Sequence, residues 1–175
     1  MTAGVERART RCVATLGIVH REGVALLFSV NKLRGFPISP TWVAGLNENM
    51  DEAETLEAFV SRFGRMQDTI GDKLVPRTLA AQAERVGSVL DNLAVAERLG
   101  WVDNAAEWLT ARELRNRLVH EYAEDPEALA ADTLAAIRFV PMLVATYNRL
   151  RQAVLQGFGV AEQQLPPALV GTANG

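Results

Sequence analysis

The sequence of 175 residues is poor in the residues from which disulfides and metal sites are built. It contains one cysteine, Cys12, and two histidines, His20 and His120. A single cysteine cannot close an internal disulfide, and no group of Cys and His residues has the spacing of zinc ligands. We therefore expect a reducing, cytoplasmic location, and we expect neither a metal ion nor another cofactor.

Long apolar runs and an excess of positive charge are also missing. No uninterrupted run approaches the roughly 20 apolar residues of a membrane span. Arg21, Glu22 and Lys32 interrupt the first apolar stretch, and no small-residue cleavage site is evident. We expect no membrane insertion. The net charge of −3 gives no overall attraction to nucleic acid, so DNA is not an expected partner and any polyanion site requires a local basic cluster.

The length and composition of the chain are those of one globular domain. Single domains typically have roughly 100–200 residues, and 49% hydrophobic with 22% charged residues is close to the globular average. We assign residues 1–157 to one helical domain. Residues 158–175 lose apolar periodicity, which predicts a frayed tail.

Apolar residues recur every three or four positions along most of the chain, which predicts helices. The first helix spans about 5–33, with a strand at 24–30 as the alternative because glycines at 17 and 23 weaken a helix. A loop at 35–50 follows. The remaining predicted helices run from Asp51 to Pro76, Thr78 to Leu99, Asn104 to about Glu124, and Asp125 to Gly157. Together they predict an all-α, antiparallel bundle of about five helices.

The segment RELRNRLVHEY (112–122) places polar side chains on two sides of one predicted helix. Arg112, Asn116 and His120 are four residues apart and form a polar stripe. Arg115 instead falls within the apolar arc that contains Leu118. Because an unpaired guanidinium would be costly there, Arg115 must either meet a carboxylate or line a cleft that water and a ligand can enter.

Two interpretations of this helix remain open. In the structural one, Arg115 pairs with an acid of a neighbouring helix, such as Asp68 or Asp91, while Asn116 and His120 satisfy backbone groups. In the functional one, the arginine fork binds phosphate oxygens, the histidine moves a proton near neutral pH, and the asparagine orients either of them. Those parts suffice for metal-independent RNA cleavage, in which the 2′-hydroxyl attacks the adjacent phosphate.

The spacing of Arg115 and His120 bears on how such a site could be assembled. Five residues separate them, which places them roughly 140° apart around the helix and about 7.5 Å apart along it. One copy could not easily bring both side chains to a single phosphate. Two such helices facing each other across a dimer axis could, so the geometry favours a homodimer.

The residues RNRLVHEY (115–122) resemble the signature of the HEPN superfamily. In that superfamily an arginine, a polar residue, a short spacer and a histidine lie on one helix of a small α-bundle. The ending His120-x-Tyr122 resembles in particular the HepT-like branch, whose members are toxin partners of minimal nucleotidyltransferases. The likeness covers about residues 50–155, and the helix at 5–33 is a plausible addition.

The resemblance implies a homodimeric, metal-independent ribonuclease of a toxin–antitoxin module. It implies that Arg115 contacts the scissile phosphate, that Asn116 supports it, and that His120 acts in acid–base catalysis. Arg112 adds positive charge for binding RNA, and Tyr122 is the hydroxyl that a nucleotidyltransferase antitoxin would modify with AMP. The alternative within the same family is a non-catalytic module that binds a nucleotide or a nucleotidyltransferase.

Two further groups of residues have simpler explanations. Arg62, Arg65 and Asp68 share a predicted helix, and they either line the same cleft or form ion pairs on the surface. The three tryptophans lack the neighbouring basic residues of a base-stacking platform. We therefore assign them to packing or to a dimer interface.

Overall fold

The structure, a computed structural model, describes residues 3–120 and 125–171. These residues form helices and no strand, so the all-α prediction is confirmed. The helices are α1 (Ala3–Leu33), α2 (Pro40–Ala44), α3 (Met50–Thr69), α4 (Val75–Ala81), α5 (Val89–Arg98), α6 (Ala105–His120) and α7 (Pro126–Phe158). The strand considered at 24–30 is part of α1, and the short α2 lies in the predicted loop.

Polar side chains fix where three of these helices begin. Asn104 accepts hydrogen bonds from two backbone N–H groups of α6, at 2.8 and 3.2 Å. Asp125 does the same for α7, at 3.0 and 3.1 Å. Both starts agree with the sequence prediction. The cap of α3 is Asn49, two residues before the predicted Asp51.

The helix predicted to end at Pro76 continues through it. A π-helical turn, Ile70–Leu74, joins α3 to α4, and the N–H of Val75 bonds to the carbonyl of Ile70. Proline has no N–H, and in an α-helix its ring clashes with the carbonyl four residues earlier. The wider π turn relieves that conflict. We call the continuous segment Met50–Ala81 the α3–α4 rod.

The helix ends after this rod, although the sequence predicts one helix from Thr78 to Leu99. Ala83 has a φ of 60°, and residues 82–88 separate α4 from α5. The single-helix prediction is therefore wrong at this point. The apolar periodicity of the predicted helix places Val86, Leu90 and Leu93 on its inward side, but of these only Leu93 is buried, and Val86 and Leu90 are exposed.

The core lies where α1, the α3–α4 rod and α7 meet, and α6 packs against both α3 and α7. The indole of Trp108 in α6 is fully buried and lies against the π turn. A Cβ at Gly71 would be 3.1 Å from its Nε1, so the glycine allows this close approach. Trp101 is also buried, which confirms a packing role for both tryptophans.

The segment after α7 differs from the frayed tail that the sequence predicts. Arg151 and Tyr147 of α7 donate hydrogen bonds to the carbonyls of residues 166 and 167, at 2.7 and 2.8 Å. Asn148 makes two bonds of 2.9 Å with the backbone of Leu169, whose side chain is buried. Polar side chains of α7 therefore hold this segment by bonding to its backbone. Such contacts require no helical periodicity in the sequence of the segment itself, so the sequence did not predict them.

Two helices are long and apolar enough to cross a membrane by length and composition alone, α1 and α7. Both contribute side chains to the core. Because core helices of soluble proteins meet the same criterion, the feature carries no membrane assignment.

Candidate functional site

An open groove of about 500 Å³ lies between α3 and α6. We call it the α3–α6 groove. Arg115 is the basic residue that α6 contributes to its wall, and Arg65 and Asp68 line it from α3. At its edge Val119 is 50% exposed. The remaining lining residues are Glu57, Val60, Ser61, Gly64 and Leu118.

The guanidinium of Arg115 is anchored on two sides. Its Nη2 donates to Oδ2 of Asp68 at 2.6 Å, and its Nη1 donates to Oδ1 of Asn116 at 3.0 Å. Its Nε is buried without a hydrogen-bond partner. The arginine and aspartate side chains remain 31% and 36% exposed, so the pair faces the groove and water can reach it.

Gly64 provides the space that this arginine occupies. A Cβ at this position would lie 3.2 Å from both Cγ and Nε of Arg115, closer than ordinary van der Waals contact. Gly64 and Asp68 are one helical turn apart on α3. Gly64 leaves space for the Arg115 side chain, and Asp68 provides the carboxylate that pairs with it. Gly64 was not predicted from the sequence as part of the site, although a glycine inside a helix costs about 1 kcal/mol against alanine and needs a structural reason.

A buried amide supports Asp68 from behind. In the orientation that satisfies its neighbours, Gln67 donates to Oδ1 of Asp68 at 3.1 Å and accepts from Nε1 of Trp108 at 3.2 Å. Each carboxylate oxygen of Asp68 thus has a donor, and the chain Trp108–Gln67–Asp68–Arg115 links the core to the groove. Such a network fixes side-chain positions because each member is held by the next.

These contacts decide part of what the sequence left open. The structural interpretation named Asp68 as a partner for Arg115, and that ion pair is present. The other named acid, Asp91, instead bonds to Ser88 in a capping box at the start of α5. Asn116 bonds to the arginine side chain and not to a backbone group. Arg115 is therefore both paired with an acid and open to a groove.

Two other predicted site residues, Arg112 and His120, do not line the α3–α6 groove. Arg112 contacts Asp72 of the π turn, with Nη1 to Oδ1 at 3.3 Å. His120 is exposed in the last turn of α6 and is not among the residues that line the α3–α6 groove. The α3–α6 groove of one copy is lined by Arg115 and not by His120, and the spacing of the two residues along the helix predicts this separation. Tyr122 lies outside the described residues.

The α3–α6 groove is lined by two guanidinium groups, Arg65 and Arg115, and by two carboxylates, Glu57 and Asp68. Within residues 3–120 and 125–171, no three or more His, Cys, Asp and Glu side chains are grouped so that they could hold a metal ion. Arg115 and Arg65 both offer guanidinium donors to the groove, and guanidinium is suited to phosphate or carboxylate oxygens.

Compared with known proteins, the chain matches no protein family, no curated protein and no solved structure at a significant level. The HEPN resemblance therefore rests on residues 115–122 and on their place in a helical chain.

Proposed function

We propose that the protein is a homodimeric, metal-independent ribonuclease whose composite site is formed by the α6 helices of two copies. The observation that carries this proposal is the state of Arg115. Its guanidinium is anchored by Asp68 and Asn116 and is still about a third exposed in an open groove. A cation that is held in place and open to a ligand is suited to position a phosphate.

The proposed reaction needs no group beyond the side chains of α6. The RNA 2′-oxygen bonds to the adjacent phosphorus, the bond from phosphorus to the 5′-oxygen breaks, and the products are a 2′,3′-cyclic phosphate and a 5′-hydroxyl. Arg115 stabilises the charge on the non-bridging oxygens. One His120 takes the proton from the 2′-hydroxyl, and the His120 of the second copy gives a proton to the leaving oxygen.

Two features support the dimer in this proposal. Arg115 and His120 are about 7.5 Å apart along α6, so a second helix is needed to complete the set of side chains. Val119, which lies between them in sequence, is half exposed, and an exposed apolar side chain at this position suits a contact between two α6 helices.

The biological setting follows from the resemblance of residues 115–122. We propose a cytoplasmic toxin of a toxin–antitoxin module, with a minimal nucleotidyltransferase as the antitoxin. The antitoxin would transfer AMP to Tyr122. A modified Tyr122 would stand two residues from His120 and would block access of RNA.

A non-catalytic module is the alternative function, and two observations favour it. Arg115 already has a carboxylate partner, and His120 lies outside the α3–α6 groove. This alternative predicts that the wild-type protein binds a nucleotide or a nucleotidyltransferase and leaves RNA intact.

The proposal is tested by cleavage of single-stranded RNA in excess chelator. We expect the wild type to cleave, and we expect Arg115→Ala and His120→Ala each to lower the rate by about 10²–10⁴-fold, as is usual for lost acid–base or oxyanion-stabilising groups. Arg138→Ala, which removes an exposed arginine of α7, serves as the control. Dimer mass and helical content are measured for each variant.

The product distinguishes the mechanisms. A 2′,3′-cyclic phosphate supports attack by the 2′-hydroxyl. No cleavage by the wild type, or equal cleavage by all four proteins, contradicts the nuclease and leaves the binding module.

A further inference from the structure

A second groove, of about 560 Å³, lies between α1 and the second half of the α3–α4 rod. Four of its lining residues are basic: Arg7 and Arg11 from α1, Lys73 from the π turn, and Arg77 from α4. Asp72 and small or apolar residues, such as Ala8, form the rest of the surface. We call it the basic groove. This cluster could not be predicted from the sequence because its two halves are more than 60 residues apart in the chain.

Within salt-bridge distance, the described parts of the protein leave the positive charge of the basic groove unpaired, although the carboxylate of Glu22 lies near enough to Lys73 to interact with its charge. In residues 3–120 and 125–171, none of its four basic residues forms an ion pair. The one carboxylate in its lining, Asp72, pairs with Arg112 of α6. Like charges gathered in this way repel one another unless an anion lies between them. In a chain of net charge −3, such a cluster calls for a ligand.

The arrangement of the charges indicates what kind of anion fits. Arg7 and Arg11 are one helical turn apart, and so are Lys73 and Arg77, which gives about 6 Å between the members of each pair. The pairs lie on two packed elements, α1 and the α3–α4 rod. The four basic residues are therefore spread along the groove at the level of the backbone, as suits a chain of phosphates.

One member of the cluster is fixed in position. Nη1 of Arg77 donates to Oγ1 of Thr15 at 2.6 Å, and Thr15 is buried in α1. Thr15 in turn donates to the carbonyl of Arg11 at 2.7 Å. The guanidinium of Arg77 thus keeps its place at the junction of α1 and α4 before a ligand arrives.

The basic groove and the α3–α6 groove are both lined by the α3–α4 rod. Asp68 lines the first groove and Asp72 lines the second, one turn later. On α6 the partners of these acids, Arg115 and Arg112, are three residues apart. From Asp68 to the basic side chains of the rod is about 8–14 Å along the axis. A polymer can span that distance, and a single phosphate cannot.

We propose that the basic groove binds the phosphate backbone of the same single-stranded RNA that reaches Arg115. This inference rests on the proposed function and adds the path of its substrate. The lining contains no aromatic side chain, so the groove contacts phosphates without stacking bases. Binding there is independent of sequence and weakens with added salt because phosphate contacts release counterions.

The test measures binding separately from cleavage. A short, fluorescent 2′-O-methyl RNA lacks the attacking hydroxyl and stays intact, so its anisotropy reports affinity alone. We compare the wild type with the double variant Arg11→Glu/Lys73→Glu. The control, Arg98→Glu/Arg138→Glu, makes the same change of net charge at exposed arginines of α5 and α7.

We expect the groove variant to bind about tenfold more weakly or worse, and the control to change by less than about threefold. The slope of log affinity against log salt should flatten by about 0.7 for each lost phosphate contact. Equal weakening in the two variants would overturn the inference. Inorganic tripolyphosphate is the competitor, and displacement at the same molar concentration as the RNA would also overturn it, because the groove would then take a small polyphosphate.

The cleavage assay distinguishes this inference from the proposed function. If the wild type cleaves nothing and RNA binding still depends on Arg11 and Lys73, the nuclease fails and the basic groove stands. If the wild type cleaves RNA and the groove variant binds and cleaves equally well, the nuclease stands and the basic groove fails.

Discussion

The two grooves lie along one rod and use basic residues in opposite ways. In the α3–α6 groove, Arg115 is held by Asp68 and Asn116 and crosses α3 at Gly64. In the basic groove, four cations share one carboxylate, and that carboxylate is taken by Arg112. The first arrangement fixes the position of the Arg115 guanidinium, and the second leaves the positive charge of its basic side chains unpaired.

This difference separates positioning from attraction. A paired guanidinium has little long-range field because its carboxylate cancels most of it, but its atoms stay where chemistry needs them. Unpaired cations attract a polyanion from a distance and hold it loosely. We therefore expect substitutions in the α3–α6 groove to affect the rate of cleavage, and substitutions in the basic groove to affect affinity.

The largest effect should come from removing the side chain that packs α6 against the α3–α4 rod, which lines both grooves. Trp108 is fully buried against the π turn and bonds to Gln67, so it holds α6 against the rod. We expect Trp108→Ala to lower the free energy of unfolding by about 3–5 kcal/mol, measured by urea denaturation. Trp42→Ala, at a partly exposed site, should cost less, and an equal cost would contradict this role.

A substitution at Gly64 should disturb the α3–α6 groove alone. Gly64→Ala places a methyl group against Arg115, and a shift of the guanidinium by less than about 1 Å can lower a rate by tenfold or more. We expect about tenfold slower cleavage with unchanged affinity for 2′-O-methyl RNA. Gly17→Ala is the matched control, since the nearest atom to its added Cβ is the end of the Arg21 side chain at 3.7 Å. Slower cleavage by that variant too would point to a general effect on the fold.

Removing the carboxylate that anchors Arg115 should have a smaller effect. Asp68→Asn keeps the shape and loses the charge, so we expect cleavage to slow by several-fold, up to about tenfold. Stability should change by less than about 1 kcal/mol, because both side chains are about a third exposed and solvent screens the pair. A loss of several kcal/mol without an effect on cleavage would make the pair purely structural.

The smallest effect concerns a half-buried acid of α1. Burial raises the pKa of Glu22, while a hydrogen bond from Thr69 and the charges of Arg65 and Lys73, one from each groove, oppose that rise. One of its carboxylate oxygens is buried without a partner. The folded state thus favours the protonated form of Glu22. This preference contributes its full stabilisation below pH 4.5, the pKa of the unfolded state, and the stabilisation is lost as the pH rises through the higher pKa of the folded state.

We therefore expect Glu22→Gln to be more stable than the wild type at pH 7, by less than about 1 kcal/mol because solvent screens a half-buried charge. The gain should shrink below pH 4.5. Thermal unfolding at both pH values measures it. A variant that is less stable than the wild type at pH 7 would show that the ionised carboxylate is stabilising.

Local signals in the sequence predicted much of the fold. Apolar periodicity and side-chain caps located α1, α6 and α7, because each helix start depends on residues within one turn. The same local rules failed at Pro76, where the π turn accommodates a residue that usually ends a helix. They also failed after Phe158, because hydrogen bonds from Asn148 and Arg151 hold the tail.

The site followed the same pattern. The motif at 115–122 and the partner Asp68 could be named from the sequence, since arginine in an apolar arc demands an acid or a cleft. Gly64 and Gln67 were missed because their roles depend on how closely α6 approaches α3. The basic groove was missed because only the packing of α1 against α4 brings Arg11 to Arg77.

The π turn at Ile70–Leu74 sets the angular phase between the two halves of the rod. Each residue of an α-helix turns the chain by about 100°, and a π turn is equivalent to one inserted residue. Deleting a single residue here would remove that offset and swing Arg77 away from α1 while leaving Gly64 and Asp68 in place, and Pro76 would then kink the rod. In a comparison of related chains, a one-residue gap at this turn would therefore mark a protein that keeps the anchored Arg115 and has lost the basic groove.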